Sequence, residues 1–296
     1  MIKGGRYMAT SQEQGKEKRV LSVMSGYQVF ATIEALEVAG GNEELFRLVR
    51  GNPTVAKAMV DAGNKFLRNQ YADEQTKSSY TYPNNYAVKP IAEQIAMLSK
   101  LFGLDGTKAL AYAEKLPELP EGAEGYFAIL KWQAVAKTYG KALEKALTLI
   151  AKGRTLKNWR EDELDEKHLR QSERTEQMFA KFCEQQDGDI IVIPAQFGLR
   201  HRGKSVRRAR EVFDDNEFGL GAFAVGCMLL THPEREQVWD QLHIDCGGDE
   251  FAPDADGQFV HAPLFHWNGG ELHFDTYWAR DASKLYGSAS GFVPQD

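Results

Sequence analysis

The chain has little cysteine, no long apolar stretch and no strong excess of either charge. Three cysteines in 296 residues, Cys183, Cys227 and Cys246, are too few and too far apart for a disulfide framework. They show no paired C-x-x-C steps of the kind that hold zinc. Three reduced thiols in a cytoplasmic protein are therefore expected. No apolar run reaches the roughly 18–20 residues of a membrane span, and Met1 to Arg19 lacks the apolar core of a signal peptide. Thirty-six Lys and Arg against 42 Asp and Glu give a net charge of -6, which argues against a global nucleic-acid binder. No internal repeat with a period of 20–50 residues is evident.

What remains is the composition of a folded protein, 43% hydrophobic and 26% charged, at a length that suits two domains. Residues 1–11 are expected to be a flexible N-terminus, and Met8 is an alternative start to Met1. Residues 12–186 read as helical. Asn52-Pro53 and Lys89-Pro90 open helical patterns, Gly103 closes one, Asp105 caps the next, and Trp132 to Ile150 is the longest amphipathic run. A last helix ends near Gln186.

From residue 187 the pattern shifts toward strands, with Asp189 to Pro194 a short apolar run between breakers. Ser205–Phe213 and Phe218–Leu230 read as helices. Leu242–Cys246, Phe259–Trp267, Leu272–Trp278 and Ser288–Val293 read as short strands, and Asn268-Gly269-Gly270 reads as a hairpin turn. The expected architecture is α+β: a helical N-terminal region followed by a small, mixed, mainly antiparallel α+β domain over 187–296.

Gly198 to Ser205 matches the phosphate-loop pattern G-x-x-x-x-G-K-[ST], between an apolar run and an amphipathic helix. In that reading the loop amides cradle phosphate, Lys204 neutralises it and Ser205 holds magnesium. A parallel sheet would have to stand behind it. The same stretch packs six cations, Arg200, Arg202, Lys204, Arg207, Arg208 and Arg210, into eleven residues. That is either a solvated helix face or a local anion site for phosphate, nucleic acid or an acidic partner.

Asp245, Asp249, Glu250, Asp254 and Asp256 place five carboxylates in twelve residues broken by glycine and proline. Asp249, Glu250, Asp254 and Asp256 are the candidate ligands for calcium, with an exposed turn as the plainer reading. His261, His266 and His273 do not share one strand face by simple parity, which disfavours zinc. Trp267, Tyr277, Trp278, Arg280 and Asp281 form a candidate binding rim.

The runs IVIPAQFGLRHRGKSVRRAREVF, NEFGLGAFAVGCMLLTHPER, LHIDCGGDEF and YGSASGFVPQ, with LPEGAEGYFAI and NWREDEL upstream, resemble an uncharacterised family of hypothetical proteins from small-genome candidate bacterial lineages. The resemblance runs from about Leu101 to Gln295 and implies no specific activity. In that family arginine often stands at the position of Lys204, which weighs against an obligatory phosphate-loop lysine. The order strand, two helices and several short strands ending in Trp278 and Gly291-Phe292 is also similar to C-type-lectin-like and formylglycine-generating-enzyme-like domains. That similarity implies binding through loops beside a small sheet, sometimes with calcium. The chain lacks the Gly-Asn-Val-Trp-type motif and the copper-binding cysteine pair of those domains. The expected role is a non-enzymatic module that recognises an unknown protein or small ligand. The alternative is a nucleotide- or phosphate-binding enzyme using Gly198 to Ser205.

Overall fold

The computed structural model describes residues 35–36, 38–67 and 69–294. The expected flexible terminus at 1–11 and the choice between Met1 and Met8 lie outside the described residues. The chain divides into two compact units, Met1–Phe66 and Leu67–Asp296. In the first, α1 (Glu43–Gly51) starts at Asn42, whose side chain accepts the Leu45 amide. It buries none of its residues. Asn52 then accepts the Thr54 amide and Pro53 opens α2 (Pro53–Leu67), because proline at a first helical position gives up only an amide without an intrahelical partner.

The second unit begins with an irregular stretch. Then come α3 (Ile91–Phe102), stopped by Gly103 at φ 70°, and α4 (Thr107–Ala113), whose Thr107 amide bonds Asp105. Next are β1 (Gly125–Leu130), α5 (Trp132–Val135), α6 (Tyr139–Gly153), β2 (Leu156–Asn158), β3 (Leu169–Gln171) and α7 (Glu173–Gln185). The chain continues through β4 (Ile190–Gln196), a 3-10 turn at Leu199–His201, α8 (Val206–Glu211), β5 (Glu217–Gly219) and α9 (Ala222–Thr231). It closes with β6 (His243–Asp245), β7 (Asp249–Phe251), β8 (His261–Asn268), β9 (Glu271–Trp278), β10 (Tyr286–Ser288) and β11 (Ser290–Phe292).

This is an α+β fold with two sheets. One has the order β1-β4-β11-β5; the other runs β10-β6-β8-β7-β3, with β9 joining β8 to β2. Only β10–β6 and β2–β9 are parallel among the described strand pairs. All seven residues of β4 are buried, which is why it reads as a continuous apolar run. On the same core lies α9, apolar on nearly every side and buried along most of its length. It packs near α6, where a Cβ on Gly226 would stand 3.5 Å from Ala146.

Several elements differ from the sequence reading. The run Trp132–Ile150 breaks at Ala136–Thr138, where extended Thr138 caps a second helix. Phe218–Leu230 is not one helix: β5 pairs with β11 before Gly221, and only then does α9 begin. The stretch 12–186 is not wholly helical, since it contributes β1, β2 and β3. Residues on both sides of position 187 share a sheet through the β1–β4 pairing, so the compact unit runs from Leu67 across that position. Among the described residues no helix is long and apolar enough to cross a membrane, and the three cysteines are unpaired.

Candidate functional site

The sheet behind Gly198 is antiparallel: β4 runs opposite to both β1 and β11. The loop amides are spent on the protein itself. Gln196 Oε1 takes the amides of Gly198 and Arg200, Tyr82 Oη that of Leu199, and the Gly198 carbonyl that of His201. The carbonyls of Leu199, Tyr286, His201 and Glu74 take those of Arg202, Gly203, Lys204 and Ser205. No amide of this segment is left to face a phosphate.

Its two glycines have packing reasons. Gly198, at φ 133°, has the Gly287 backbone where a Cβ would stand, and Gly203, at φ 76°, has the Thr76 carbonyl there. The Ser205 side chain is buried, donates to Glu74 Oε2 at 2.7 Å and accepts the Arg208 amide at 3.0 Å as the cap of α8.

The six cations are internally engaged. Arg200 bonds Asp214 and Glu217, Arg202 the Tyr80 carbonyl, Lys204 the Arg200 carbonyl, and Arg207 Glu74. Arg208 pairs with Glu211, and Arg210 donates to the carbonyls of Gly247 and Asp249. Burial, with Arg208 and Arg200 nearby, pulls the Lys204 ammonium below its ordinary range. The basic cluster thus works as a set of struts, and its clearest load is the segment around Glu74.

The four candidate calcium ligands are not brought together. Asp249 is buried, accepts from Tyr139 Oη and the Ala222 amide at the start of α9, and is raised by burial to about 7. Glu250 pairs with Arg170 at 2.8 Å and lies 3.6 Å from Arg210. Asp254 and Asp256 are exposed, and Asp256 closes its own turn by accepting the Gln258 amide. Among the described residues no three His, Cys, Asp or Glu side chains group to hold a metal ion.

The rim residues fare differently. Tyr277, Trp278, Arg280 and Asp281 line a cavity of about 610 Å³, whereas Trp267 packs against the hydrophobic core. That volume lies within the range of small-molecule sites.

The period-two alternation of strands builds the cavity floor. Along Leu242–Cys246, which contains β6, Leu242, Ile244 and Cys246 are fully buried; of the alternate positions His243 is also buried, while Asp245 is half-buried and lines the cavity. Asp245 pairs with Leu264 of β8, which pairs with Asp275 of β9, so the three share one row and one face. The next row holds Tyr286, His243, His266 and His273 across β10, β6, β8 and β9, since the register sets His243 opposite His266. Their ring centroids are 5.3 Å apart for Tyr286–His243, 5.9 Å for His243–His266 and 4.8 Å for His266–His273. His266 and His273 therefore do meet, across the hairpin, while His261 stacks edge-on against Trp278. Asp73, Glu74, Val206, Ala282 and Ser283 also line the cavity.

Three residues of these rows are held by side chains that do not line the cavity. Arg160 bonds Asp275 Oδ1 at 2.8 Å, Glu236 bonds His243 Nδ1 at 2.8 Å, and Trp159 Nε1 donates to His273 Nδ1 at 3.0 Å. Asp245 is not held, and on the same floor His266 Nδ1 and Thr276 Oγ1 are also buried without a hydrogen-bond partner. The Asp245 carboxylate has no hydrogen bond or ion pair among the described residues, and burial alone lifts it to about 7. Burial, then the neighbouring His273 and His243, push His266 down to about 4, so it is neutral near pH 7. The Tyr286 phenol is raised by burial and by Asp245, and keeps its proton.

At the mouth, Tyr277 and Trp278 are 58% and 40% exposed, enough to offer ring surface to a ligand. Arg280 lies over the Trp278 ring at 4.7 Å. The sequence reading omitted Asp73, His266 and Tyr286 from the site and gave Asp245 no place in the rim. The alternation Leu242-His243-Ile244-Asp245-Cys246 was the signal for Asp245. Comparison with protein-family models, with curated proteins and with solved structures finds no match for this chain.

Proposed function

We propose that the unit from Leu67 onward is a recognition module that binds a small ligand in the cavity over the β6–β8–β9 floor. The observation that carries this is Asp245: a half-buried carboxylate, aimed by strand alternation into the cavity and left without a partner. Leaving a buried charge or polar group unpaired costs about 1–3 kcal/mol or more, and a ligand donor removes that cost. Asp275, His243 and His273 are braced by groups that do not line the cavity, which favours a preformed site, while His266 Nδ1 and Thr276 Oγ1 are also buried without a partner and open to a ligand. Exposed Tyr277 and Trp278 offer faces for a flat or apolar group. The similarity to lectin-like domains supports the same direction, as analogy alone. Three unpaired cysteines support a cytoplasmic setting.

The nucleotide reading at Gly198 to Ser205 is the weaker one, because its amides and cations are already engaged within the protein. A soluble-fragment screen followed by backbone NMR separates the two. Fragment-induced shifts on β6, β8, β9 and Tyr286 are expected. Shifts confined to residues 198–205 on adding ATP, abolished by Lys204→Ala, would replace the cavity reading with the nucleotide one.

A further inference from the structure

We infer that the ligand of this cavity carries a protonated amine or guanidinium on a flat or apolar body. The inference rests on the cavity-binding reading and adds the ligand's charge and shape. It follows from what each charged group in the cavity wall already holds.

Five carboxylates line the cavity, Asp73, Glu74, Asp245, Asp275 and Asp281, against the single cation Arg280 among the described lining residues. Two carboxylates are neutralised from outside, Glu74 by Arg207 and Asp275 by Arg160. Arg280 stands 3.8 Å from Asp281. Asp73 and Asp245 remain with no ion pair among the described residues, one on the exposed wall and one on the floor. Asp245 titrates at about 7 and Arg207 also feels Asp73, so near neutral pH the site is short of positive charge by roughly one.

Three ligand classes can be weighed against that deficit. An anion would enter against Asp73 and the ionised fraction of Asp245, so phosphates and carboxylic acids are disfavoured. A neutral hydroxyl donates one hydrogen bond to Asp245 but leaves its charge uncompensated in the desolvated site. A cation makes that bond and also neutralises the desolvated carboxylate. No lining imidazole competes with it, because burial and the adjacent His273 and His243 keep His266 neutral near pH 7. The remaining groups around Asp245 are Tyr286, which keeps its proton, the Cys246 thiol, raised by burial and also protonated, and Asp275, already tied to Arg160. The exposed Tyr277 ring at the mouth attracts a cation through its face, and Trp278, whose ring already carries Arg280, offers cover for an apolar body beyond it.

The test uses three probes of one shape and different charge: benzylamine, benzyl alcohol and benzoate. Each is titrated into the full chain at pH 7.5 and low salt, by calorimetry and backbone NMR. Benzylamine is expected to shift resonances of β6, β8 and β9 and to bind at least tenfold tighter than benzyl alcohol, with benzoate weakest. Asp245→Asn should cut benzylamine affinity at least tenfold and leave benzyl alcohol within about twofold. Asp73→Lys, on the exposed wall where folding is not at stake, should weaken benzylamine severalfold and spare benzyl alcohol. If the alcohol or benzoate binds in the cavity as well as the amine, or if both variants keep amine affinity, the cationic ligand is overturned and the cavity reading stands. If no probe shifts any cavity residue, both fall together.

Discussion

Replacing Asp245 with asparagine preserves the shape of the cavity floor and removes its charge. Burial lifts the Asp245 carboxyl to about 7, whereas in an unfolded chain an aspartate titrates near 3.9. The folded state therefore holds this proton more tightly than the unfolded one. The resulting stability is fully present below about pH 4 and is lost as pH rises through about 7. A separation of about three pH units, at about 1.4 kcal/mol each, sets an upper bound of about 4 kcal/mol. Because the carboxylate opens onto the cavity, solvent screening should reduce the observed loss to about 1–3 kcal/mol. Asparagine has no such term. The stability of Asp245→Asn relative to the unmodified protein should thus climb between pH 5 and 7 and level off above it. Asp249 and His266 also titrate abnormally, at about 7 and about 4, but both are present in the two proteins. The groups that feel Asp245 most, Cys246 and Tyr286, titrate far above this window, so the difference isolates one carboxyl. Urea unfolding at pH 5, 6, 7 and 8 reads it directly. A difference constant within about 0.5 kcal/mol over that range would refute the claim that Asp245 is unpaired and desolvated.

Other substitutions probe the walls and the glycine-rich loop. Ser205→Ala removes both the cap on the Arg208 amide and the bond to Glu74; a loss of about 2 kcal/mol in urea unfolding is expected. Gly287→Ala drives a methyl into the Gly198 carbonyl and within 3.1 Å of Arg202 Cα. Since both contacts are backbone, a loss above about 3 kcal/mol, or failure to yield folded protein, should follow. Lys204→Ala removes one hydrogen bond to the Arg200 carbonyl. Its stability should change by less than about 1.5 kcal/mol, and calorimetry should find no lysine-dependent ATP binding in either protein.

Much of the fold was readable where local chemistry decides it. Asn52-Pro53 and Gly103 mark helix ends because caps and φ preferences act within a few residues. The apolar run of β4 is visible because both its faces are covered. The three-residue strands β2 and β3 were not visible, since each exists only through a partner about eighty residues or more further on: Leu156 against Leu272, and Leu169 against Phe251. The break between β5 and α9 was missed for a similar reason. Phe218 and Gly219 fit a helical pattern, but β11 recruits them into a sheet before Gly221. Glu74, which braces the cavity wall, meets Ser205 across 131 positions of chain and leaves no local mark.

The glycine-rich loop misleads as a sequence signal, whereas the cavity floor, which the sequence reading did not assemble, leaves part of its register countable. A phosphate loop works through backbone amides, and residue types do not say where amides point. Here Gly198 and Gly203 are required by the close approach of Gly287 and the Thr76 carbonyl, so the same letters arise from packing. The floor works through side chains on strands, and their direction is fixed by parity. Placing the turn at Asn268-Gly269-Gly270 sets Asn268 opposite Glu271, which by counting puts His266 opposite His273 and Leu264 opposite Asp275. The alignment of β6 and β10 beside β8, and the placing of Asp73, Glu74 and Val206 in the cavity wall, had to come from the fold. A slip of one residue in the β6–β8 pairing would turn Asp245 into the core and bring Ile244 or Cys246 to the cavity. Burying a lone carboxylate there would cost far more than the apolar side chains would lose, so the same charge that makes the site also helps hold its register.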